Sequence, residues 1–211
     1  MKKLLVLAVL VAVLLVVADF AARQVAEEQV ATRVAATEGV GGPARVEISS
    51  FPFLTGLLAS GTVSDLSVSV DDVRTERLRF ASVTVALEKV RVSREILLSD
   101  RRIVLQDIGR GTARVELTQE ELSRVLDLPV AVERGRIRVR VAGQQVTAEA
   151  SVRDNVLRLQ VAGAQVPALP IPRLPMVPCL ADVELLPGRV LLSCRLDRVP
   201  PDLVGRLQSR I

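Results

Sequence analysis

Side chains able to do chemistry are few in this sequence, and they are scattered. The 211 residues hold no His, which removes the commonest general base, the Ser-His and Cys-His nucleophile pairs and imidazole metal ligands together. Beyond Lys2 and Lys3 the only lysine is Lys89, so a Ser-Lys dyad would have to use it. The carboxylate candidates are Asp71-Asp72 and the set Glu120, Glu121 and Asp100. Two adjacent carboxylates on a strand point to opposite sides, which fits a turn better than a cation site. No spacing brings two carboxyls to one centre for acid–base work. Phosphate-cradling Gly-rich loops, a G-x-S-x-G elbow and metal-spaced clusters are absent. The chain therefore reads as a non-enzyme, with no catalytic residue, no metal and no cofactor expected.

Two patterns remain. Arg134, Arg136, Arg138 and Arg140 alternate with Gly135, Ile137, Val139 and Val141, which places the four guanidinium groups on one strand face about 7 Å apart. The planar Arg fork binds phosphate well, so this row could meet phospholipid headgroups; a solvated outer sheet face is the other reading. Cys179 and Cys194 sit on the two arms of an expected hairpin, Cys179 to Leu186 and Arg189 to Leu196, where a four-residue loop would set them opposite each other. They read as one structural disulfide, or else as two buried thiols. Without His, a zinc site on these two cysteines is not expected.

The compartment follows from the N-terminus. After Lys2-Lys3 an unbroken apolar run extends from Leu4 to Ala18, a charged region followed by a stretch of signal-peptide length. As a helix it rises ~22 Å against a ~30 Å hydrocarbon core. Val16-Val17-Ala18 offers small residues for cleavage before Asp19, yet apolar residues resume at Phe20-Ala21-Ala22. Residues 1–18 are thus a signal peptide or a signal anchor, with an uncleaved anchor spanning residues 4–22. In both cases the positive charge stays cytoplasmic and residues 19–211 form one extracytoplasmic domain. That export agrees with a disulfide. The net charge of +4 falls largely on Arg, and the absence of Trp and Tyr removes the rings that stack on bases, so nucleic acid is not an expected partner.

The elements expected are those of an α+β domain. Residues 19–37 have helical periodicity, with Ala22, Val25, Ala26, Val30 and Val34 on one side, stopped by Gly39, Gly41, Gly42 and Pro43. Val-rich alternating segments follow at Arg45–Ser50, Thr62–Asp71, Arg77–Ser93, Gly111–Thr118, Arg134–Ala142, Gln144–Arg153 and Val156–Val161. Tight turns make residues 134–161 an antiparallel meander. Thr118-Gln119-Glu120-Glu121 is a capping box with Leu117 and Leu122 as its staple, opening a helix that ends near Asp127. In Arg77–Ser93 the apolar parity switches twice, which requires either a bulge or bend at each switch or two apolar faces. The five prolines from Pro167 to Pro178 exclude helix and central strand there. A short helix from Leu203 closes the chain.

Phe51-Pro52-Phe53-Leu54-Thr55, preceded by Pro43-x-x-Val46-x-Ile48 and followed by Gly61 and Leu66-x-Val68-x-Val70, resembles the LmeA-like phospholipid-binding family of actinobacterial envelope proteins. Ser50 and Gly56 depart from the Gly and Gln that the family usually has around this run. The resemblance covers residues 19–199 and implies a cell-envelope protein that binds phospholipid. Read from the residues alone, extended alternation across Pro52 puts Phe51 and Phe53 on one side as an apolar wedge, for acyl chains or for the core.

Together these readings predict a long N-terminal helix packed on a curved, mainly antiparallel sheet that encloses an apolar groove. Acyl chains are expected on Phe51, Phe53, Leu54, Leu78 and Phe80, with an anionic headgroup near Arg residues. Each acyl methylene buried contributes ~0.8 kcal/mol. The rival is a membrane-anchored structural or adaptor protein that binds a partner through an apolar sheet face.

Overall fold

The computed structural model describes residues 2–36, 39–100, 104–141, 143–153, 155–161, 164–165, 168–171 and 182–198. Cys179, residues 172–178 of the proline-rich segment and the expected helix from Leu203 lie outside the described residues.

One helix, α1 (Lys2–Ala35), runs unbroken through the signal-like segment and the first helix expected of the body. Asp19, Ala22, Ala26, Val30 and Val34, spaced by three and four, turn inward. Val25, placed in that stripe by sequence, is exposed, because it sits about 100° around the helix from Ala26. Arg23 and Glu27 flank the stripe as an i,i+4 ion pair, and Glu27 also accepts the backbone N–H of Ile48 at 2.8 Å.

The remaining elements are β1 (Ala44–Ile48), α2 (Phe53–Thr55), a wide π turn at Gly56–Ser60, β2 (Thr62–Arg74), β3 (Arg79–Val92), α3 (Arg94–Asp100), β4 (Leu105–Thr118), α4 (Gln119–Leu126), β5 (Val130–Glu133), β6 (Arg136–Val141), β7 (Gln144–Arg153), β8 (Val156–Val161), β9 (Ala164–Gln165), β10 (Leu169–Pro170), β11 (Asp182–Leu186) and β12 (Arg189–Leu196). The strands divide into two sheets where one was expected, both wholly antiparallel. The first has the order β1-β2-β3-β4-β12-β11 and the second β10-β8-β7-β6-β5, with β9 on β8. The meander read at residues 134–161 is the centre of the second sheet. Leu169-Pro170 forms its edge, where Pro170 needs no ladder partner for its missing N–H and Leu169 and Ile171 reach the core.

Residues directly opposite in an antiparallel ladder share a face. The rows Val68–Val85–Ala113–Cys194 and Val70–Val83–Val115–Leu192 are therefore one apolar inner face of the first sheet, and Ser69–Thr84–Arg114–Ser193 belongs to its polar outer face. Both parity switches keep the apolar residues on that one inner face. Asp72 (φ 52°) and Lys89 (φ 55°) adopt left-handed backbone within the strands, and Asp72–Ala81 and Ser64–Lys89 are missing from the β2–β3 ladder while the register on either side is unchanged. The single left-handed residue rotates the pleat by one position, so Phe80, Val83 and Val90 all bury.

The left-handed Asp72 carboxylate accepts from Arg74 and Arg79, and these hydrogen bonds and charges lower its pKa from 3.8 to about 2. Arg91 likewise lowers Asp107, and Arg124 lowers Glu121. A depressed carboxylate stabilises the fold above its unfolded pKa and loses that contribution as pH falls through its folded pKa. Stability is thus expected to drop between about pH 4 and pH 2. Asp72→Asn should flatten that stretch of a stability-against-pH curve followed by circular dichroism.

Half of the expected capping box forms, with its staple: Thr118 accepts the Glu121 N–H at 3.2 Å, and Leu117 and Leu122 are fully buried. The Glu121 carboxylate turns instead to the backbone N–H of Arg79 at 2.8 Å and to Arg124, tying α4 to the start of β3. The hairpin of β11 and β12 closes on Pro187-Gly188, a two-residue loop where four were expected, with Leu186 opposite Arg189. Gly188 (φ 75°) donates to the Val132 carbonyl at 2.9 Å and accepts from Gln119, so the turn stitches the two sheets together.

Candidate functional site

The FPFLT run is a corner rather than a strand. Pro52 is extended (φ −73°, ψ 127°) and caps α2, which starts at Phe53. The chain then widens into the π turn and stops at Gly61 (φ 66°), where a Cβ would come within 2.6 Å of the Val92 carbonyl oxygen, so only glycine fits. This corner overturns the alternation expected for the two rings. Phe53 is buried with Ile48, Val63, Val90 and Ile108, with Leu54 packed partly buried beside it, while Phe51 is 76% exposed.

Asp19 holds the corner to α1. Its two carboxylate oxygens accept the backbone N–H groups of Phe53 at 3.0 Å and Leu54 at 2.6 Å, and its side chain is buried. A carboxylate buried at a helix surface is costly unless it is hydrogen-bonded, and here both oxygens find donors that would otherwise lack partners. Neither Asp19 nor Glu27 was singled out by sequence reasoning. The signal available was a lone charge between two apolar stretches.

Leu78 and Phe80 lie elsewhere. Both are fully buried in the main core, among Val115, Leu117, Leu122 and the inward side chains of the second sheet, Val132, Ile137, Val139 and Leu157. From Phe80 to Val90, the neighbour of Phe53, β3 rises ~33 Å. The structure therefore brings Phe53 and Leu54 together and Leu78 and Phe80 together, at opposite ends of the first sheet.

Between those ends the inner face has two covers. α1 lays Val30 and Val34 on Val68 and Val70, and Ala22 and Ala26 on Ile48 and Phe53. The second sheet and α4 cover Val83, Val85, Ala113, Val115, Val190 and Leu192. α1 packs on β1 and reaches β2, and the second sheet packs on β11 and β12 and reaches β3, so the seam between the two covers runs along β2 and β3. Leu66 and Leu87, opposite each other on those strands, each touch two of the apolar clusters and stay only partly buried.

The basic row is on the outer face of the second sheet. Ile137 and Val139 point into the core, and Arg136, Arg138 and Arg140 point out. Arg134 stands off the strand, in the two-residue loop with Gly135 (φ 74°) that joins β5 to β6. Glu133 takes Arg138 at 3.0 Å and reaches Arg136 at 3.9 Å; Arg134 and Arg140 have no ion pair among the described residues. Cys194 is buried on β12 opposite Ala113 and is disulfide-bonded. The observed hairpin register puts Ser193 opposite Asp182, two positions away from the register that would face Cys194 to Cys179. A further cleft of about 340 Å³, lined by Thr75, Glu76, Arg77, Pro170 and Ile171, opens at the β2–β3 turn. Among the described residues no three His, Cys, Asp or Glu side chains group as metal ligands.

α1 is also long and apolar enough to cross a membrane, and its N-terminal half stands clear of the domain with Val6, Leu7 and residues 9–17 exposed. Compared with known proteins, the chain matches no curated protein and no solved structure. A family model, LmeA-like phospholipid-binding, matches residues 17–195, which takes in Asp19, the FPFLT corner, both sheets and Cys194. By that match across most of its length, the chain belongs to the LmeA-like phospholipid-binding family.

Proposed function

We propose that the protein binds one phospholipid of the cell envelope without covalent chemistry, its acyl chains lying on the inner face of the first sheet over β2 and β3, between α1 and the second sheet. What carries the reading, beside family membership, is the position of Leu66 and Leu87: paired apolar side chains at the seam between the two covers, each bordering two of the apolar clusters and only partly buried. Burial of each acyl methylene there contributes ~0.8 kcal/mol, so no reactive group is needed to hold a lipid. The apolar segment of α1 acts as an uncleaved anchor, keeping the domain on the extracytoplasmic surface of the membrane.

Native mass spectrometry with lipid extraction on the full chain from an actinobacterial host tests this. One phospholipid per protein is the expected result; an empty protein that also takes up no added lipid would sink the reading in favour of an anchored adaptor. The lipid is anionic; the outward Arg row lies on the far face of the second sheet from those acyl chains, so its part is to attract anionic lipid to the protein rather than to hold the bound headgroup. Arg136→Ser with Arg138→Ser is expected to weaken binding of phosphatidylglycerol relative to phosphatidylcholine, measured by competition between the two. An unchanged ratio would return the row to a solvating role.

A further inference from the structure

Outside α1, the exposed large apolar side chains among the described residues are Phe51, Leu58 and Leu98. All three belong to connections at one end of the first sheet. Phe51 follows β1, Leu58 sits in the turn before β2, and Leu98 is on α3 between β3 and β4. These connections are joined to one another: Arg94 of α3 donates to the Ala59 carbonyl at 2.8 Å, and Val92 donates to Gly61 at 2.8 Å. Asp19 ties α1 to the same corner, and beside it Phe20 is exposed. Exposures of 76% for Phe51, 64% for Phe20, 61% for Leu98 and 47% for Leu58 thus fall in one rim around the point where α1 leaves the domain. Clustered exposure of this kind marks a contact surface, whereas scattered apolar residues do not.

The length of the apolar helix says what that surface meets. Between the charges of Lys3 and Asp19, Leu4 to Ala18 rises ~22 Å, some 8 Å short of a ~30 Å hydrocarbon core, and α1 reaches the full width only by carrying Asp19 and Phe20-Ala21-Ala22 down with it. A short span is met by snorkelling of flanking lysines, by thinning of the bilayer, or by apolar surface that continues the span. Asp19 is not free to follow its helix into the headgroup region alone, because its carboxylate is fixed to α2. The domain must come down with it, and the side chains that come down first are Phe20, Phe51, Leu58 and Leu98. We infer that this rim is submerged in the outer boundary of the bilayer, so that the FPFLT corner and α3 form a membrane-embedded foot around the anchor. Lipid would then pass from the leaflet to β2 and β3 without crossing water.

The inference rests on an anchor that is retained, as proposed above, and its test is separable from that of lipid binding. The chain has no Trp or Tyr, so one introduced Trp reports alone. Phe51→Trp, Leu98→Trp and, at the opposite end of the first sheet, Glu76→Trp would each be placed in the full chain. The chains would be reconstituted in phosphatidylcholine–phosphatidylglycerol vesicles, with and without bromine near the headgroup end of the acyl chains. Blue-shifted emission and loss of signal on bromination are expected at residues 51 and 98 and not at residue 76. Quenching at 51 and 98 no greater than at 76 overturns the inference. An intact mass lacking residues 1–18 also overturns it, whether or not phospholipid is still bound. Conversely, loss of bound phospholipid with quenching preserved would remove the function and leave the foot.

Discussion

Phe53→Ala is expected to lower the unfolding free energy by about 3–5 kcal/mol, the range for truncating a large buried ring. The ring closes a separate piece of core, with Ile48, Val63, Val90 and Ile108 as its buried neighbours and Ala22, Ala26 and Leu54 at the margin. No neighbouring loop is free to collapse into the space. Behind the ring stands the central ladder Val63–Val90–Ile108, in front of it α1, and beside it the Asp19 hydrogen bonds fix the α2 backbone. The neighbouring ring gives the control. Phe51→Ala, at an exposed position, should change stability by less than ~0.5 kcal/mol. Denaturant titrations followed by circular dichroism read both. Equal effects would mean that the corner does not hold its two rings in different environments.

That difference between Phe51 and Phe53 is also where sequence pattern stops being informative. Alternation assigns sides only in an extended chain, and the corner is helical from Phe53 on. Where the backbone is regular, local signals were enough. The Thr118 capping box, its Leu117–Leu122 staple and the strands from Gln144 to Val161 are each legible within a dozen residues. The parity switches in β3 were legible as irregularities, but their cause, left-handed Asp72 and Lys89, was not, since Lys seldom takes a positive φ and Asp, which does so more readily, does it mostly in turns. Alternation also says that a strand has an inner side without saying which element covers it. Two sheets facing one interior therefore look the same as one curved sheet, and Phe80, buried under the second sheet, looked like the wall of a groove. β5 was missed because four residues after Leu128-Pro129 carry too little pattern, and α3 because its short segment has no distinctive cap. Asp19 is the most consequential omission. In sequence it looks like the end of a signal segment, and only its distance to two backbone N–H groups gives it a role.

Asp19→Ala should accordingly cost more than a surface carboxylate ever does. The substitution leaves the amide N–H of Phe53, in a buried residue, and that of Leu54 without acceptors, at about 1–3 kcal/mol for each group that water cannot reach. Leu54 is only partly buried, so water offsets part of its share and a total of roughly 2–4 kcal/mol is expected. Asp19→Asn keeps one oxygen acceptor and should fall between wild type and alanine. The damage should also be local in a way that truncating Phe53 is not, because the main core under the second sheet shares no fully buried residue with this corner, only the partly buried Leu87 at their border. Hydrogen exchange on the full chain in detergent would show it: faster exchange in α2 and the π turn, with β4 and β6 still protected. Uniform acceleration across the domain would mean that Asp19 supports the whole fold. No change at Phe53 and Leu54 would mean that the carboxylate does not hold the corner, and with it would go the reason for the domain to follow its anchor down to the membrane.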